Sequence, residues 1–314
     1  MADHTPTGAG SAAPVGSVAA SDSAWLRAMP GVFVLIWSTG FIVARYGMPH
    51  APPMTFLAWR YAASIACVLV WIRLARAPWP TTRAQWLHLG VTGMLMHAGY
   101  LGGVWAAVKT GMGAGTSALI VGLQPVLTAV WMSARGGDHQ VSPRQWSGLL
   151  LGLLGVALVV SPKLGAGGIH LLNLALAIGA LCSITVGTLY QKHHVTPCDV
   201  RTANTVQLMA ALVVTLPLSM FEHEAMDWHP HLLGALAWSV FALTLGGSSL
   251  LYLLIQRGAA TRVTSLMYLV PPCTAVLAAL LFGESLGLTT LAGIATTVFG
   301  VVLVVRAPRG TVRT

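Results

Sequence analysis

Ten apolar stretches, each close to the length of a membrane-crossing helix, take up most of this chain of 314 residues. About 20 apolar residues in a helix cross a hydrocarbon core. Such stretches fall near 28–47, 54–74, 86–108, 114–134, 144–161, 169–191, 200–221, 231–255, 262–282 and 288–306. In lipid every backbone polar group needs a partner within the protein, so stretches of this length are read as helices. Composition leaves little alternative, because 55% apolar against 8% charged residues is too little polar surface for a soluble fold of this size. The predicted fold is an all-α polytopic membrane protein with ten transmembrane helices.

The chain also repeats itself. Sliding it by 147 positions places Gly111 on Gly258, Ala118 on Ser265, Pro125 on Pro272 and Arg60 on Gln207. Five spans per half is an odd number, so the second half enters the membrane upside down relative to the first. Two inverted five-helix repeats imply a site at their interface and two near-equivalent states open to opposite sides, the arrangement of an alternating-access carrier.

Orientation follows from the basic residues. With both termini cytoplasmic, of the 17 Lys and Arg only Arg45, Lys109 and Lys163 fall outside and only Arg60 falls within a span. Glu222, Glu224, Asp227 and Glu284, half of the eight acids, fall on the outer side. That bias obeys the positive-inside rule. The expected organisation is a disordered cytoplasmic tail at 1–27, a first repeat at 28–161, a linker at 162–168, a second repeat at 169–306 and a basic cytoplasmic tail at 307–314. The Ala-, Ser- and Gly-rich tail lacks the basic start of a signal peptide, so the first span is expected to be retained.

Several function classes are argued against. The net charge of +9 comes from basic residues scattered singly between apolar runs, so no nucleic-acid partner is expected. Cys67, Cys182, Cys198 and Cys273 are isolated and no His stands at metal spacing, so neither a disulfide framework nor a metal site is expected. No Walker motif for ATP occurs, and no cofactor is expected. A membrane-embedded enzyme stays as a further alternative, although no Ser/His pair at a convincing spacing and no acid cluster lies in the spans.

The stretch WSTGFIVARYGMPHAPPMTFLAWRYAAS, Trp37 to Ser64, resembles the opening of the EamA-type carriers of the drug/metabolite transporter superfamily. There a Trp-containing first span is followed by a loop ending in small residues and an Arg in the second span. Tyr252 to Leu286, with Gly258, Ser265, Tyr268, Leu269, Pro272 and Glu284, is similar to the ninth helix and closing Gly-Glu of that family. The resemblance runs from about Pro30 to Ala307. It implies a ten-helix inner-membrane carrier, exporters of amino acids and other metabolites being the best-known members, with efflux of drugs or toxic organic compounds as the alternative.

The candidate substrate-binding residues are those whose polarity or size is out of place in a span. Arg60 is the one charge placed deep in a helix, where a charge faces the bundle interior or a wet cavity. It either grips a substrate carboxylate with its planar fork or pins its helix to neighbouring carbonyls. Its repeat partner Gln207 is neutral. In the third span His97, Leu101 and Trp105 share a face with Tyr100 beside them, and their partners Thr244, Ser248 and Tyr252 recur at the same spacing in the eighth. In the fourth span Ser117, Val121, Gln124 and Thr128 share a face, matched in the ninth by Thr264, Tyr268, Pro271 and Ala275. Trp37 and Ser38 lie mid-span in the first helix, with Cys182 and Ser183 as approximate partners. Polar faces in lipid point inward, so these residues are expected to line one cavity.

Pro125, Pro271 and Pro272 are expected to bend the fourth and ninth spans and act as gates, because proline lacks an N–H and clashes with the carbonyl four residues back. Gly148, Gly152 and Gly155 in the fifth span, and Gly293, Thr297 and Gly300 in the tenth, are expected to pack closely, within a monomer rather than between two copies. No acid lies within a span and His97 is the one intramembrane group that titrates near neutrality. Facilitated diffusion or weak proton coupling through His97 is the expected energetics. The expected partners are a small-molecule substrate and the lipid bilayer, with a monomer favoured and a homodimer as the alternative.

Overall fold

The computed structural model describes residues 18–134, 142–164, 168–247, 250 and 269–305. Among them every regular element is helical. Six helices are long and apolar enough to cross a membrane, and four shorter apolar helices, Ala114–Thr128, Trp146–Ser161, Val270–Phe282 and Leu288–Leu303, complete a set of ten.

The first span is α1, Val18–Gly47, and the second is α2, Pro53–Ala75. The third joins α3, Arg83–Gly93, to α4, Tyr100–Lys109, through a π-helical segment, Met94–Gly99. The fourth is α5, Ala114–Val121, followed by α6, Gln124–Ala134, and the fifth is α7, Pro143–Leu164. The second half runs through α8, Leu171–His194, and α9, Val200–Ser219. Next come α10, Pro230–Trp238, with a π-helical segment at Ser239–Gly247, then α11, Val270–Phe282, and α12, Leu288–Val305.

One boundary departs from the sequence expectation. Helix α1 starts at Val18, inside the stretch expected to be a disordered tail ending at residue 27. The residues that precede the apolar run, VAASDSAW, are rich in alanine, the best helix former. Once a helix is nucleated each further residue adds a bond at little cost, so the membrane helix propagates backward into them.

Equivalent segments of the two halves run antiparallel. Glu222, just past the end of α9, meets Met54 and Thr55 at the start of α2, while Pro78, past the end of α2, accepts a bond from Thr202 at the start of α9. Between the fourth and ninth segments Ala114 meets Glu284 and Gly122 meets Pro271. Between the fifth and tenth, Gly148 lies against Gly300 and Gly155 against Gly293. Each pair crosses with one index rising as the other falls, which is the signature of inverted repeats.

The α7–α12 seam uses the small residues anticipated for it. A first side-chain carbon added at Gly155 would stand 2.5 Å from the Gly293 carbonyl oxygen, and one at Gly300 would stand 2.5 Å from that of Gly148. These obstacles are backbone and cannot swing away. Thr297 adds a bond to the Gly293 carbonyl at 2.9 Å.

Polar contacts gather at one end of the bundle. Glu222 accepts the N–H groups of Met54 and Thr55 at 2.8 Å each and the Thr55 hydroxyl at 2.8 Å. Lys109 bonds the Met48 carbonyl at 2.9 Å and Glu224 at 2.6 Å. Asp227 donates its N–H to the His50 carbonyl at 2.8 Å, and Glu284 accepts the Ala114 N–H at 2.8 Å. All four acids of this end belong to the second half and bind helix starts, a cation or a loop of the first. Two of the helix starts, α2 and α5, gain a carboxylate where the helix dipole favours one.

Candidate functional site

The two π-helical segments are the local feature that shapes the interior. The 147-residue offset carries Met94–Gly99 onto 241–246, inside the second segment at Ser239–Gly247. A π turn widens the helix and frees carbonyls for other partners, and such turns concentrate at functional sites. Here Ser183 donates to the Leu95 carbonyl at 2.8 Å from α8, and Tyr61 donates to the His97 carbonyl at 2.9 Å from α2. In the second segment Thr244 bonds the Ser239 carbonyl five residues back at 2.9 Å.

Around the first π segment five of the anticipated residues come together. Arg60 on α2 is buried at 8% exposure, with its guanidinium carbon 6.0 Å from the centre of the Trp105 ring. Tyr100 lies beside it, and so does His97, which also neighbours Gln207 of α9. Trp105 is 1% exposed and stacked on Phe56 at 4.4 Å, so it forms a fixed floor under the guanidinium. Among the described residues the Arg60 Nε has no hydrogen-bond partner. A buried guanidinium with an open donor is a strong anion receptor, since the fork matches a carboxylate.

Other anticipated residues have structural partners. Ser38 is fully buried, donates to the Val34 carbonyl at 2.7 Å, and its own carbonyl accepts from Thr274 of α11 at 3.2 Å. Gln124 ties α6 to α8 by donating to Thr188 at 3.0 Å. Ser183 serves the π segment. Each of these three joins helices. Trp37 is half-buried and tilted against Phe33, with ring centres 5.3 Å apart. Ser248, Tyr252 and Tyr268 lie outside the described residues.

Of the prolines expected to gate, Pro125 stands one residue into α6, just after the break at Gly122 and Leu123 that separates it from α5. Pro271 and Pro272 occupy the first turn of α11, where a missing N–H costs nothing. A side chain at Gly122 would put its first carbon 2.7 Å from the Pro271 ring. The break of the fourth segment therefore touches the first turn of α11 where the two helices cross.

Sequence reasoning missed two things. Tyr61, fully buried beside Arg60, holds the π segment; a hydroxylated aromatic next to the one intramembrane charge was the available signal. The expectation of no metal-spaced histidines is true along the chain and not in space, because His50, His229 and His231 converge.

Ten membrane-crossing segments in two inverted halves, with a buried polar cluster between them, define a membrane carrier. The chain belongs to the EamA-like transporter family, which it matches over residues 31–161 and again over 171–306. It is 27% identical over 275 residues to the uncharacterized transporter YvbV of Bacillus subtilis, covering 86% of this chain and 88% of that protein. It is 26% identical over 270 residues to a probable amino-acid metabolite efflux pump of Salmonella typhimurium, covering 83% and 88%. The inner membrane transporter YedA of Escherichia coli, itself uncharacterized, is 27% identical over 277 residues, covering 86% and 87%. A crystal structure of a protein 16% identical superposes with a TM-score of 0.63 over 90% of this chain and 96% of the other, which supports the fold alone.

Proposed function

We propose that this chain exports amino acids or related small carboxylated metabolites across the inner membrane by alternating access. The observation that carries the reading is Arg60, a buried guanidinium with an unpartnered Nε above the Trp105 ring, next to helices of both halves. A charge kept in the membrane interior is expensive unless a partner arrives, and a substrate carboxylate is such a partner. The probable amino-acid metabolite efflux pump among the relatives supports the same substrate class.

In this reading the end bearing Glu222, Glu224, Asp227 and Glu284 faces outward and is latched shut, both termini are cytoplasmic, and a monomer suffices. Transport is facilitated or weakly proton-coupled through His97. Proteoliposomes loaded with unlabelled amino acids and assayed for counterflow of radiolabelled ones test it. Transport of amino acids but not of the matching decarboxylated amines is expected. Conversion of substrate without net movement would sink the carrier reading, and equal transport of the amines would sink the role given to Arg60. If His97→Ala leaves the pH dependence of flux intact, the proton-coupled variant fails.

A further inference from the structure

Three histidines meet at the acidic end of the bundle, none of them a member of the Arg60 cluster. His50 lies in the loop before α2, and His229 and His231 flank Pro230 at the start of α10. One ring nitrogen from each lies within 4.8 Å of the other two. The His50 and His229 rings stack with centres 4.3 Å apart, and His231 stands 4.6 Å from His229 at a steep angle of 65°.

We propose that His50, His229 and His231 bind one divalent transition-metal ion of the zinc type. Three neutral imidazoles suit zinc, nickel or copper, whereas calcium and magnesium take oxygen ligands. In a tetrahedral zinc site the ligand nitrogens stand about 3.4 Å apart, a spacing that small side-chain rotations reach from the one observed.

A supporting group is already in place. The Asp227 carboxylate stands 3.0 Å from His50 Nδ1, which fixes the ring and leaves Nε2 to ligate. Metal-bound histidines commonly carry such a carboxylate on the other nitrogen. His229 Nδ1 accepts the His231 N–H at 3.2 Å. Its ring is thereby held toward the other two, and ligation through Nε2 exchanges this long contact for a metal bond. The fourth position stays open to water or a small ligand.

The ion ties the loop before α2, in the first half, to the start of α10, in the second. It adds to the junction already made by the Asp227 N–H and the His50 carbonyl. The site does not depend on which compound the carrier moves.

The test uses the full chain without a polyhistidine tag, purified in detergent, stripped with a chelator and titrated with Zn2+ alone. Calorimetry and elemental analysis are expected to give one ion per chain, with a rise in apparent melting temperature, since a ligand of the folded state stabilises it. Asp227→Asn is expected to weaken binding by about 10- to 100-fold, as loss of an outer-shell partner does elsewhere. His50→Gln and His231→Gln are expected to remove the site. His231 is exposed, so its variant keeps the test sound should changes at His50 disturb folding. No saturable ion in the wild type, or equal binding by His231→Gln, would overturn the proposal.

Discussion

Glu284 accepts the backbone N–H of Ala114 across 2.8 Å, so a carboxylate of the second half caps the helix that opens the fourth segment of the first. Glu222 does the same for α2. Changing either to glutamine removes a charge from a helix start, a loss of roughly 0.5–2 kcal/mol. The double variant is expected to melt earlier and to label faster with a maleimide at a cysteine replacing buried Met48. Unchanged melting and labelling would show that these acids do not hold that end closed.

Arg60→Met separates binding from packing. Among the described residues Arg60 keeps an unsatisfied Nε, so replacing this buried charge by an apolar side chain is expected to cost little stability. Melting is expected within a few degrees of the wild type while carboxylate counterflow falls by at least about tenfold, the worth of a charge-assisted bond. Arg60→Lys keeps the charge but loses the fork and should retain an intermediate rate. A collapse of stability in Arg60→Met would make the residue a pin rather than a receptor.

The α7–α12 seam predicts sharp position dependence for glycine changes. Gly155→Leu and Gly300→Leu drive side chains into facing backbone and are expected to cost 3 kcal/mol or more, beyond the usual overpacking cost of about 1–3 kcal/mol. Gly179→Ala and Gly234→Ala, whose added carbon meets nothing within 4 Å, should stay within about 0.5 kcal/mol. Size-exclusion profiles of the four variants provide the check. Loss of a dimer with the monomer left intact would move the seam to an intermolecular role.

Pro125→Ala restores an N–H just past the break between α5 and α6, where Leu123 donates to the Ile120 carbonyl at 3.1 Å. The expected outcome is slower counterflow with unchanged melting, as the fourth segment straightens against the Pro271 ring. Pro272→Ala should act in the same direction. If both leave the rate untouched, the prolines shape the helices without gating them.

The repeat, the spans and the break beside Pro125 were legible because each rests on local rules: apolar length, self-similarity and proline sterics. The start of α1 was less so, since alanine and serine are common both in tails and in helices and only a continuing helix decides between them. The π segments leave no mark in polarity or propensity; the freed carbonyls of the first are taken up by Ser183 and Tyr61 from neighbouring helices. Ser38, Gln124 and Ser183 looked like Arg60 in being polar residues in apolar helices. What separates them is whether a neighbouring helix supplies a partner, and that depends on tertiary contacts. His50 and His231 are remote in sequence and meet only because the halves are inverted.

The repeat relation between Arg60 and Gln207 carries one more consequence. Two identical halves facing each other would offer a bound molecule the same environment from either direction, and it could settle in two opposed poses. A cation in one half and an amide in the other break that degeneracy. On the proposed reading a carboxylated ligand held by Arg60 would therefore have a defined head and tail, with its remainder turned toward the Gln207 side.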